Sequence, residues 1–376
     1  MNTLHVINTI DSTVGGQVYA LLNILLMEKE LGIASTILTS DSKNIDKAFI
    51  ENSSFQMFPY SYPKRFYNSK GAVNYFRKNH NMFDLIVLHG VWSFLLYRVS
   101  AIASKNKIPI VMWPHGSLDP FDLKKKYLAK KIFGYLFINK LIRKLNFLIC
   151  TSDRERDEIE TYGVEKETKV VPLPIKKPDF IGSRENFRQK NNIKSNDFVF
   201  LFLSRIDYKK GLEILIPAFK NVLDNAKVKL MIAGRGEKDY EHKIKVWIKK
   251  YGLEKDVLFL GFLSDQEKAD AFCGSDCFVL PSLNENFGIA IFEALQFGLP
   301  VLISNNVYLH NSILKYEAGW LCQYSTSSLI REMNSVCSDH VHYKKVQSNA
   351  KKAGEQFSPS KLVSYYENLY KDLRIK

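Results

Sequence analysis

The stretch that most constrains the fold runs from residue 276 to residue 304. A short apolar run, Cys277–Leu280, has the length and composition of a buried strand. Turn residues follow it, and then a helical run, 289–297, which ends at Gly298. The next apolar run begins at Val301. Strand, loop, helix and strand in this order predict an open α/β sheet, with the loop at the edge where such sheets bind ligands.

Two carboxylates frame this loop. Glu285 precedes the helix and Glu293 follows eight positions later, a little over two turns at about 3.6 residues per turn, so both side chains can face one site. Between them, Asn286, Phe287 and Gly288 carry backbone N–H groups without a helical partner, which suit a phosphate or sugar oxygen. The spacing alone also fits a capping asparagine and two solvated glutamates.

The N-terminal half repeats the alternation of strands and helices. Gly15 and Gly16 stand between the first apolar run and a helical run, 17–31. This order is typical of phosphate-binding turns, although no complete G-x-G-x-x-G is present and a plain tight turn fits as well. Strands are predicted at Leu4–Ile7, Ser35–Leu38, Leu85–Leu88, Ile110–Met112, Phe147–Cys150 and Lys169–Val171. The alternation predicts a parallel sheet covered on both faces.

Histidines follow two of these strands. His89 and His115 each come at or just past a strand's carboxyl end, where a side chain is well placed for a site. A histidine satisfied by internal hydrogen bonds is the alternative for both. Asp119, in the same loop as His115, is a weaker candidate for an acceptor site. The aromatic and basic segment 60–70 fits an acceptor-side loop or a surface loop.

A second alternating set begins at Phe198. Arg205 follows its first strand and Lys210 precedes a helix, which is where a nucleotide diphosphate needs its charge neutralised. Two ordinary surface cations are the alternative in a chain with 53 Lys and Arg residues. Later strands end in glycine turns at Gly234 and at Gly261, with Phe262 and Leu263 following.

The chain carries a formal charge of +14, which predicts an anionic partner. Residues 121–145 concentrate that charge, with eight Lys or Arg residues against one Asp, interleaved with large apolar residues. This composition favours an anionic membrane surface. An amphipathic helix packed on the sheet, with a solvated basic face, is the alternative.

The cysteines and the apolar runs argue against a metal site, a signal peptide and a membrane-spanning segment. The five cysteines are scattered and predict free thiols in a reducing compartment. The pair Cys273 and Cys277 lacks a second ligand pair, so no metal is expected. We expect neither a signal peptide nor a membrane-spanning segment, and therefore a cytoplasmic protein.

Prolines at positions 172, 174 and 178 predict a joint between two domains, residues 1–174 and 175–358. The pattern P-S-x-x-E-x-F-G…E-A…G-x-P-V around residues 281–301 resembles the signature of the retaining glycosyltransferases of family 4. The R-x4-K-G pattern at 205–211 resembles that family's pyrophosphate clamp. The resemblance implies the GT-B fold, with two Rossmann-like domains facing a central cleft. It also implies that a final helix, 359–376, packs back on the N-terminal domain. The Pro-Leu-Pro at the joint departs from the family's usual Pro-Asn-Gly.

The resemblance also implies residue roles. Glu285 lies by the donor sugar, Glu293 holds the ribose hydroxyls, and Arg205 and Lys210 clamp the diphosphate in place of a metal ion. His115 contacts the donor sugar. The remaining donor-side positions implied are Gly15, Gly16, Gly234, Gly261, Phe262, Leu263, Asn286, Phe287 and Gly288.

The predicted function is retaining transfer of a hexose or N-acetylhexosamine from a UDP- or GDP-sugar, without a further cofactor. The expected acceptor is a glycan or a polyprenyl-diphosphate-linked glycan in surface polysaccharide biosynthesis, with the protein peripheral on the inner face of the plasma membrane. A GT-B-like sugar-nucleotide epimerase or hydrolase is the alternative. A nucleic-acid-binding protein explains the charge but leaves the carboxylates and glycine loops without a role, so no nucleic-acid partner is expected.

Overall fold

The computed structural model describes residues 1–40, 42–62, 66–177, 180–223 and 227–373. The chain divides into two compact units, residues 1–174 with 359–376 and residues 175–358, called here unit 1 and unit 2. Three parts of the predictions lie outside the described residues: Pro178 of the joint, 63–65 of the aromatic and basic segment, and 374–376 of the final helix.

Unit 1 is built on a seven-stranded sheet in which all the paired strands are parallel. The strands are β1 Asn2–Val6, β2 Ala34–Ser40, β3 Ser54–Phe58, β4 Leu85–His89, β5 Ile110–Trp113, β6 Phe147–Cys150 and β7 Thr168–Val170. Their order is β3-β2-β1-β4-β5-β6-β7. The order reverses between β1 and β4, and a crevice forms at such a reversal, beyond the carboxyl ends of the strands.

Helices connect these strands. They are α1 Gly16–Glu30, α2 Lys47–Asn52, α3 Lys70–Asn79, α4 Phe94–Lys105, α5 Pro120–Lys124, α6 Tyr127–Phe133, α7 Asn139–Ile142 and α8 Asp153–Thr161. A π-helical turn, Gly134–Ile138, joins α6 to α7. Ser69, Ser93 and Ser152 begin α3, α4 and α8, because each hydroxyl accepts a backbone N–H from the first turn of its helix. Buried side chains such as Leu88, Met112 and Leu148 fill the core between sheet and helices.

Unit 2 repeats the plan with six strands. They are β8 Phe198–Leu203, β9 Val228–Ala233, β10 Val257–Gly261, β11 Cys277–Leu280, β12 Val301–Ser304 and β13 Gly319–Cys322. All the paired strands are parallel, in the order β10-β9-β8-β11-β12-β13. The order reverses between β8 and β11. Four-residue β11 is fully buried, as its continuous apolar sequence predicts.

The helices of unit 2 are α9 Arg184–Lys190, α10 Leu212–Leu223, α11 Lys238–Lys250, α12 Asp265–Gly274, α13 Ile289–Gln296, α14 His310–Lys315, α15 Thr326–Ser338 and α16 His340–Glu355. The last helix, α17 Pro359–Leu373, belongs to unit 1. It is held there by the Tyr366 hydroxyl, which donates to the Pro172 carbonyl at 3.3 Å, and by an ion pair between Lys169 and Asp372.

The prediction of two α/β units on parallel sheets is confirmed. Strand β3 has no predicted counterpart, because it is a half-buried edge strand whose sequence, SFQMF, is not a continuous apolar run. Cys150, Cys277 and Cys322 are buried free thiols, whereas Cys273 and Cys337 are half-buried. No helix in the described ranges combines the length and the apolar composition needed to cross a bilayer.

Candidate functional site

The candidate site of unit 2 lies at the reversal between β8 and β11. Arg205 and Lys210 follow β8, and Glu285 follows β11, so adjacent strands carry all three. Backbone hydrogen bonds tie the loops together at this edge. Gly234 donates to the Gly261 carbonyl at 2.7 Å, Ile206 to Arg235 at 2.9 Å, and Leu283 to Lys209 at 2.7 Å. The loops after β8, β9, β10 and β11 therefore form one connected surface.

Two glycines let these loops approach. Gly234 has φ of 132°, and a Cβ there would overlap the carbonyl oxygen of Ser204. Gly211 has φ of 77°, and a Cβ there would overlap the carbonyl oxygen of Pro281. Both positions need glycine for conformation and for space.

The start of α13 offers a row of hydrogen-bond donors. Gly288 begins the helix in the left-handed conformation, with φ of 76°, and no side chain caps it. Within the described ranges, the backbone N–H groups of Phe287, Gly288, Ile289 and Ala290 donate no hydrogen bond. Four orphan donors at the positive end of a helix dipole form an anion-binding surface. The capping-asparagine alternative is wrong, because Gly288 and not Asn286 occupies the cap.

Lys210 and Glu285 form an ion pair in which the side chains are 12% and 16% exposed. The backbone fixes Glu285 in place. Its N–H donates to the Asn306 carbonyl at 3.3 Å, and its carbonyl accepts from the Tyr308 N–H at 2.9 Å. These two backbone hydrogen bonds fix the Glu285 carboxylate, and the carboxylate in turn holds the Lys210 ammonium group at the edge of the site.

Arg205 differs from Lys210. Its side chain is exposed and, among the residues that the structure describes, makes no hydrogen bond or ion pair. An unpaired guanidinium after β8 and four orphan N–H groups after the neighbouring strand β11 thus put two kinds of anion donor at the same edge of the sheet.

Glu293 accepts a hydrogen bond from Lys268 on α12, with 2.9 Å between Oε1 and Nζ. The two side chains are 14% and 16% exposed. Each predicted glutamate therefore has its own lysine, and the alternative of two solvated glutamates is wrong. Lys268 is not predicted from the sequence, because nothing local separates it from the other Lys and Arg residues of the chain.

The loop after β10 presents an aromatic face. Phe262 is 51% exposed, and the Arg235 guanidinium lies 5.9 Å from its ring centroid. Gly261 has φ of 70° and Leu263 is half-buried. A flat ring with a cation on it offers a stacking surface to a nucleotide base.

In unit 1, Gly15 and Gly16 lead into α1, and Gly15 has φ of 96°. A cavity of about 270 Å³ lies beside this turn, lined by Ile7, Asn8, Thr9, Asp11, Thr13, Val14, Gln17, Val18, Tyr60 and Tyr67. The Tyr60 hydroxyl donates to the Asn8 carbonyl at 2.9 Å. Tyr60 and Tyr67 of segment 60–70 thus line this cavity, and the acceptor-side role of the segment stays a prediction.

His115 follows β5 in the left-handed conformation, with φ of 53°. Its Nε2 lies 2.9 Å from Nδ1 of His89, and burial lowers the pKa of His115 to about 3. His89 is fully buried and bonds a second histidine, His5, at 3.0 Å. His89 is therefore a satisfied internal residue, as the alternative for it stated.

Asp119 is 4% exposed and begins α5, because its side chain accepts from the Asp122 N–H at 2.7 Å. This is a structural role. Its acceptor-site assignment stays a prediction.

Residues 121–145 divide into two faces. Phe133, Ile138, Leu141 and Ile142 are buried in the core of unit 1. The exposed apolar side chains are Tyr127, Leu128, Ile132, Tyr135 and Leu136, with Leu128 at 72% and Tyr135 at 78%. They stand among exposed lysines. A groove of about 800 Å³ runs along the segment, lined in part by Lys130, Lys131 and Arg143. Packing on the sheet and an outward basic, apolar face thus occur together.

Over the ranges described, no three His, Cys, Asp or Glu side chains form a group that could hold a metal ion. Cys273 and Cys277, the pair considered from sequence, belong to no such group.

Two family models match the chain. Residues 14–176 match the model described as "Glycosyltransferase Family 4". Residues 183–353 match the model described as "Glycosyl transferases group 1". Between them the two models cover most of both units.

Two curated relatives are similar in sequence. Alpha-monoglucosyldiacylglycerol synthase of Streptococcus pneumoniae is 28% identical over 243 residues, which cover 61% of this chain and 54% of that protein. An uncharacterized 41.2 kDa protein in the cps region of Klebsiella pneumoniae is 25% identical over 298 residues, which cover 78% of this chain and 80% of that protein. The chain thus spans about half the length of the first of these relatives.

The fold is similar to solved structures. The structure of Alr3699/HepE of Anabaena in complex with UDP and glucose superposes with a TM-score of 0.81 at 19% identity, over 99% of this chain and 100% of that one. The likeness shows a shared GT-B fold.

Proposed function

The chain belongs to glycosyltransferase family 4, and on that premise we propose that it transfers a sugar from a nucleotide-diphosphate donor bound at the carboxyl edge of the unit 2 sheet. The sugar is a hexose or an N-acetylhexosamine, and its anomeric configuration is retained. The acceptor is a glycan or a lipid-linked glycan in surface polysaccharide assembly.

One observation carries the proposal. Among the residues that the structure describes, the four orphan N–H groups at the start of α13 follow strand β11, and an exposed, unpaired Arg205 and a held Lys210 follow the neighbouring strand β8. Hydrogen bonds to charged groups contribute about 1.5–3 kcal/mol each. A diphosphate can accept several at once, and Arg205 supplies two parallel donors to one phosphate.

The same groups supply the chemistry. As the bond from the anomeric carbon to the diphosphate breaks, negative charge grows on the leaving oxygen. Arg205, Lys210 and the helix start stabilise that charge, because they are fixed before the reaction begins. Their positive charge makes a metal ion unnecessary at the diphosphate, and we propose a metal-independent reaction without a further cofactor.

The carboxylates act on the donor's two ends. Glu285 positions the sugar and stabilises positive charge near the anomeric carbon, and Glu293 holds the ribose hydroxyls. Phe262, Leu263 and the backbone around Gly261 and Gly234 hold the base. His115 contacts a sugar hydroxyl. The donor is a UDP- or GDP-sugar, and the UDP complex of the similar Anabaena structure supports the first of these.

The acceptor proposal has two supports. The relatives include an alpha-monoglucosyldiacylglycerol synthase and an uncharacterized protein of a cps region. The segment 121–145 adds a physical reason, since each basic residue near an anionic bilayer contributes about 1 kcal/mol of attraction. Exposed Leu128 and Ile132 add apolar contact. We propose peripheral attachment to the inner face of the plasma membrane.

A donor screen tests the activity. The purified chain is incubated with UDP- and GDP-sugars and a lipid-linked glycan acceptor, with and without EDTA. We expect sugar transfer with one donor, unchanged by EDTA, and a product whose anomeric configuration, read by NMR, matches the donor. Arg205→Ala and Glu293→Ala should each abolish most of the activity at saturating donor. Unchanged transfer in both variants would contradict the proposal. Product without acceptor would instead favour an epimerase or hydrolase.

Sedimentation with vesicles tests the membrane surface. Wild type should pellet with vesicles containing anionic lipid at low salt, and a Leu128→Glu, Ile132→Glu double variant should stay in solution. Val341→Glu is the matched control, because Val341 is 85% exposed and lies outside the segment. Equal binding by all three proteins would rule out this surface.

A further inference from the structure

A row of buried polar side chains crosses the sheet of unit 1. The Glu28 carboxylate lies 2.8 Å from Nε2 of His5. Nδ1 of His5 lies 3.0 Å from Nε2 of His89, and Nδ1 of His89 lies 2.9 Å from Nε2 of His115. Four residues from α1, β1, β4 and the turn after β5 thus form one continuous chain of hydrogen bonds. We call it the histidine relay.

The topology of the sheet creates the relay. His5 is on β1, His89 ends β4, and His115 follows β5, and these three strands are neighbours in the sheet. Consecutive imidazole rings stack with centroids 5.2 Å apart. Glu28, His5 and His89 are fully buried, whereas His115 is only half-buried. The relay therefore runs from the interior to a position that a ligand can reach.

Glu28 is held as a carboxylate by several donors. Thr3 Oγ1 donates to it at 3.0 Å, and the hydroxyls of Ser35 and Tyr370 donate as well. Burial opposes ionisation, but the hydrogen bonds from His5, Ser35 and Tyr370 outweigh it and keep the pKa of Glu28 below its usual value. Tyr370 comes from α17, so the returning helix contributes to the relay.

The carboxylate gives the relay a direction. An ionised carboxylate only accepts, so Nε2 of His5 carries the proton between them. In a neutral imidazole the other nitrogen is then an acceptor, and Nδ1 of His5 takes the Nε2 proton of His89. The same rule applies to His89, whose Nδ1 must then accept the proton of His115. Its Nε2 donates to His89, and its Nδ1 is left as an acceptor.

We propose that Glu28, acting through His5 and His89, fixes His115 in the Nε2–H tautomer, so that His115 Nδ1 is a hydrogen-bond acceptor for a ligand hydroxyl. Across the ranges described, Nδ1 of His115 has no hydrogen-bond partner. Glu28, His5 and His89 are positioning residues, as the buried carboxylate is for the histidine of a Ser-His-Asp triad. That the hydroxyl belongs to a sugar rests on the proposed function; the tautomer does not.

The direction decides what His115 can recognise. An ionised phosphate oxygen only accepts, so an acceptor nitrogen repels it and selects a hydroxyl. Every other arrangement that keeps all the bonds of the relay puts a proton on Nδ1 of His115 and makes it a donor. Such an arrangement arises if one of the three rings carries a second proton, or if a protonated Glu28 donates to Nε2 of His5. The arrangements differ in which nitrogen binds each proton, and that can be measured.

The experiment is NMR of the full chain labelled with ¹⁵N at histidine, near neutral pH. Couplings through the hydrogen bonds identify the paired nitrogens, and one-bond couplings show which of them holds the proton. We expect the shared protons on Nε2 of His5, His89 and His115. A proton bound to Nδ1 of any of the three would overturn the proposal.

Two variants add a test of transmission. In His89→Leu, the His115 ring N–H should lose its protection and exchange with water, while the His5 ring N–H, still bonded to Glu28, stays visible. His80→Asn, which changes a half-buried histidine of the same unit, should leave all three signals in place. If the His115 signal is unchanged in folded His89→Leu, the relay does not hold His115. If His89→Leu fails to fold, the wild-type proton positions still decide. None of these readings depends on sugar transfer, so failure of the proposed activity would be seen separately.

Discussion

The Lys268 ammonium lies 2.9 Å from the Glu293 carboxylate, and the two side chains are only 16% and 14% exposed. Lys268 belongs to α12 and Glu293 to α13. The pair fixes the direction of the carboxylate. If Glu293 binds the ribose of a nucleotide, Lys268 acts on nucleotide affinity without touching the nucleotide.

We therefore expect Lys268→Met to weaken binding of a nucleoside diphosphate by roughly tenfold, because it removes a charge-assisted hydrogen bond. Isothermal titration calorimetry with UDP and GDP measures this. Lys190→Met is the matched control. Lys190 is on α9 and pairs with Glu267 on α12, the helix that also carries Lys268. The distance from Lys190 Nζ to Glu267 Oε1 is again 2.9 Å, but the Lys190 side chain is 69% exposed. Equal affinities of the two variants for the nucleotide would show that Lys268 does not contribute to nucleotide binding.

Arg205 should matter for binding and not for stability. Its side chain is exposed and, in the part of the chain that the structure describes, unpaired, so Arg205→Ala should leave the melting temperature within about a degree. The same variant should weaken diphosphate binding by tenfold or more. Arg205→Lys should recover only part of the loss, since lysine lacks the planar fork. Arg331→Ala, at a 71% exposed position in the same unit, is the control. A large fall in melting temperature in Arg205→Ala would show a structural role instead.

Gly234→Ala should destabilise unit 2 by several kcal/mol, because the new Cβ overlaps the Ser204 carbonyl and φ is 132°. Gly252→Ala isolates the effect of conformation, since φ is 67° there but nothing lies within 4 Å of the added Cβ. We expect it to cost about 1–2 kcal/mol. Urea unfolding measures both. Equal losses of unfolding free energy in the two variants would mean that the loops after β8 and β9 are not packed as described.

Unfolding of unit 1 should depend on pH through His115. Burial lowers its pKa to about 3, whereas the unfolded chain has an ordinary histidine pKa of about 6.5. Between these values the unfolded state binds the extra proton, so the stabilising contribution present above pH 6.5 is lost as pH falls. His115→Asn should reduce the slope of unfolding free energy between pH 6 and pH 4 by about 1.4 kcal/mol per pH unit. Asparagine also tolerates the positive φ of this position. His340→Asn, at an exposed position, serves as control, and equal slopes in the two variants would contradict a neutral His115 in the folded state.

The parts of the site predicted from sequence are those whose signals are local. Arg205, Lys210 and Glu285 stand in loops directly after strands, and the strand order then brings the loops together. The glycines at 234 and 288 mark backbone conformations that the turns require.

The parts that were missed depend on tertiary contacts. Lys268 is one of 53 Lys and Arg residues, and only the packing of α12 beside α13 gives it a partner. His5 interrupts an apolar strand and Glu28 an apolar helix, which signals buried polar groups but not their partners. Their connection to His115 follows from the order β1-β4-β5, which no single segment encodes.

The most direct test of the central claim is a crystal structure with a nucleoside diphosphate, UDP first, soaked into the protein. We expect density for the diphosphate against the N–H groups of residues 287–290 and the Arg205 guanidinium, with the ribose hydroxyls on Glu293. Well-ordered nucleotide bound anywhere else, with Arg205 and the start of α13 left unoccupied, would contradict it.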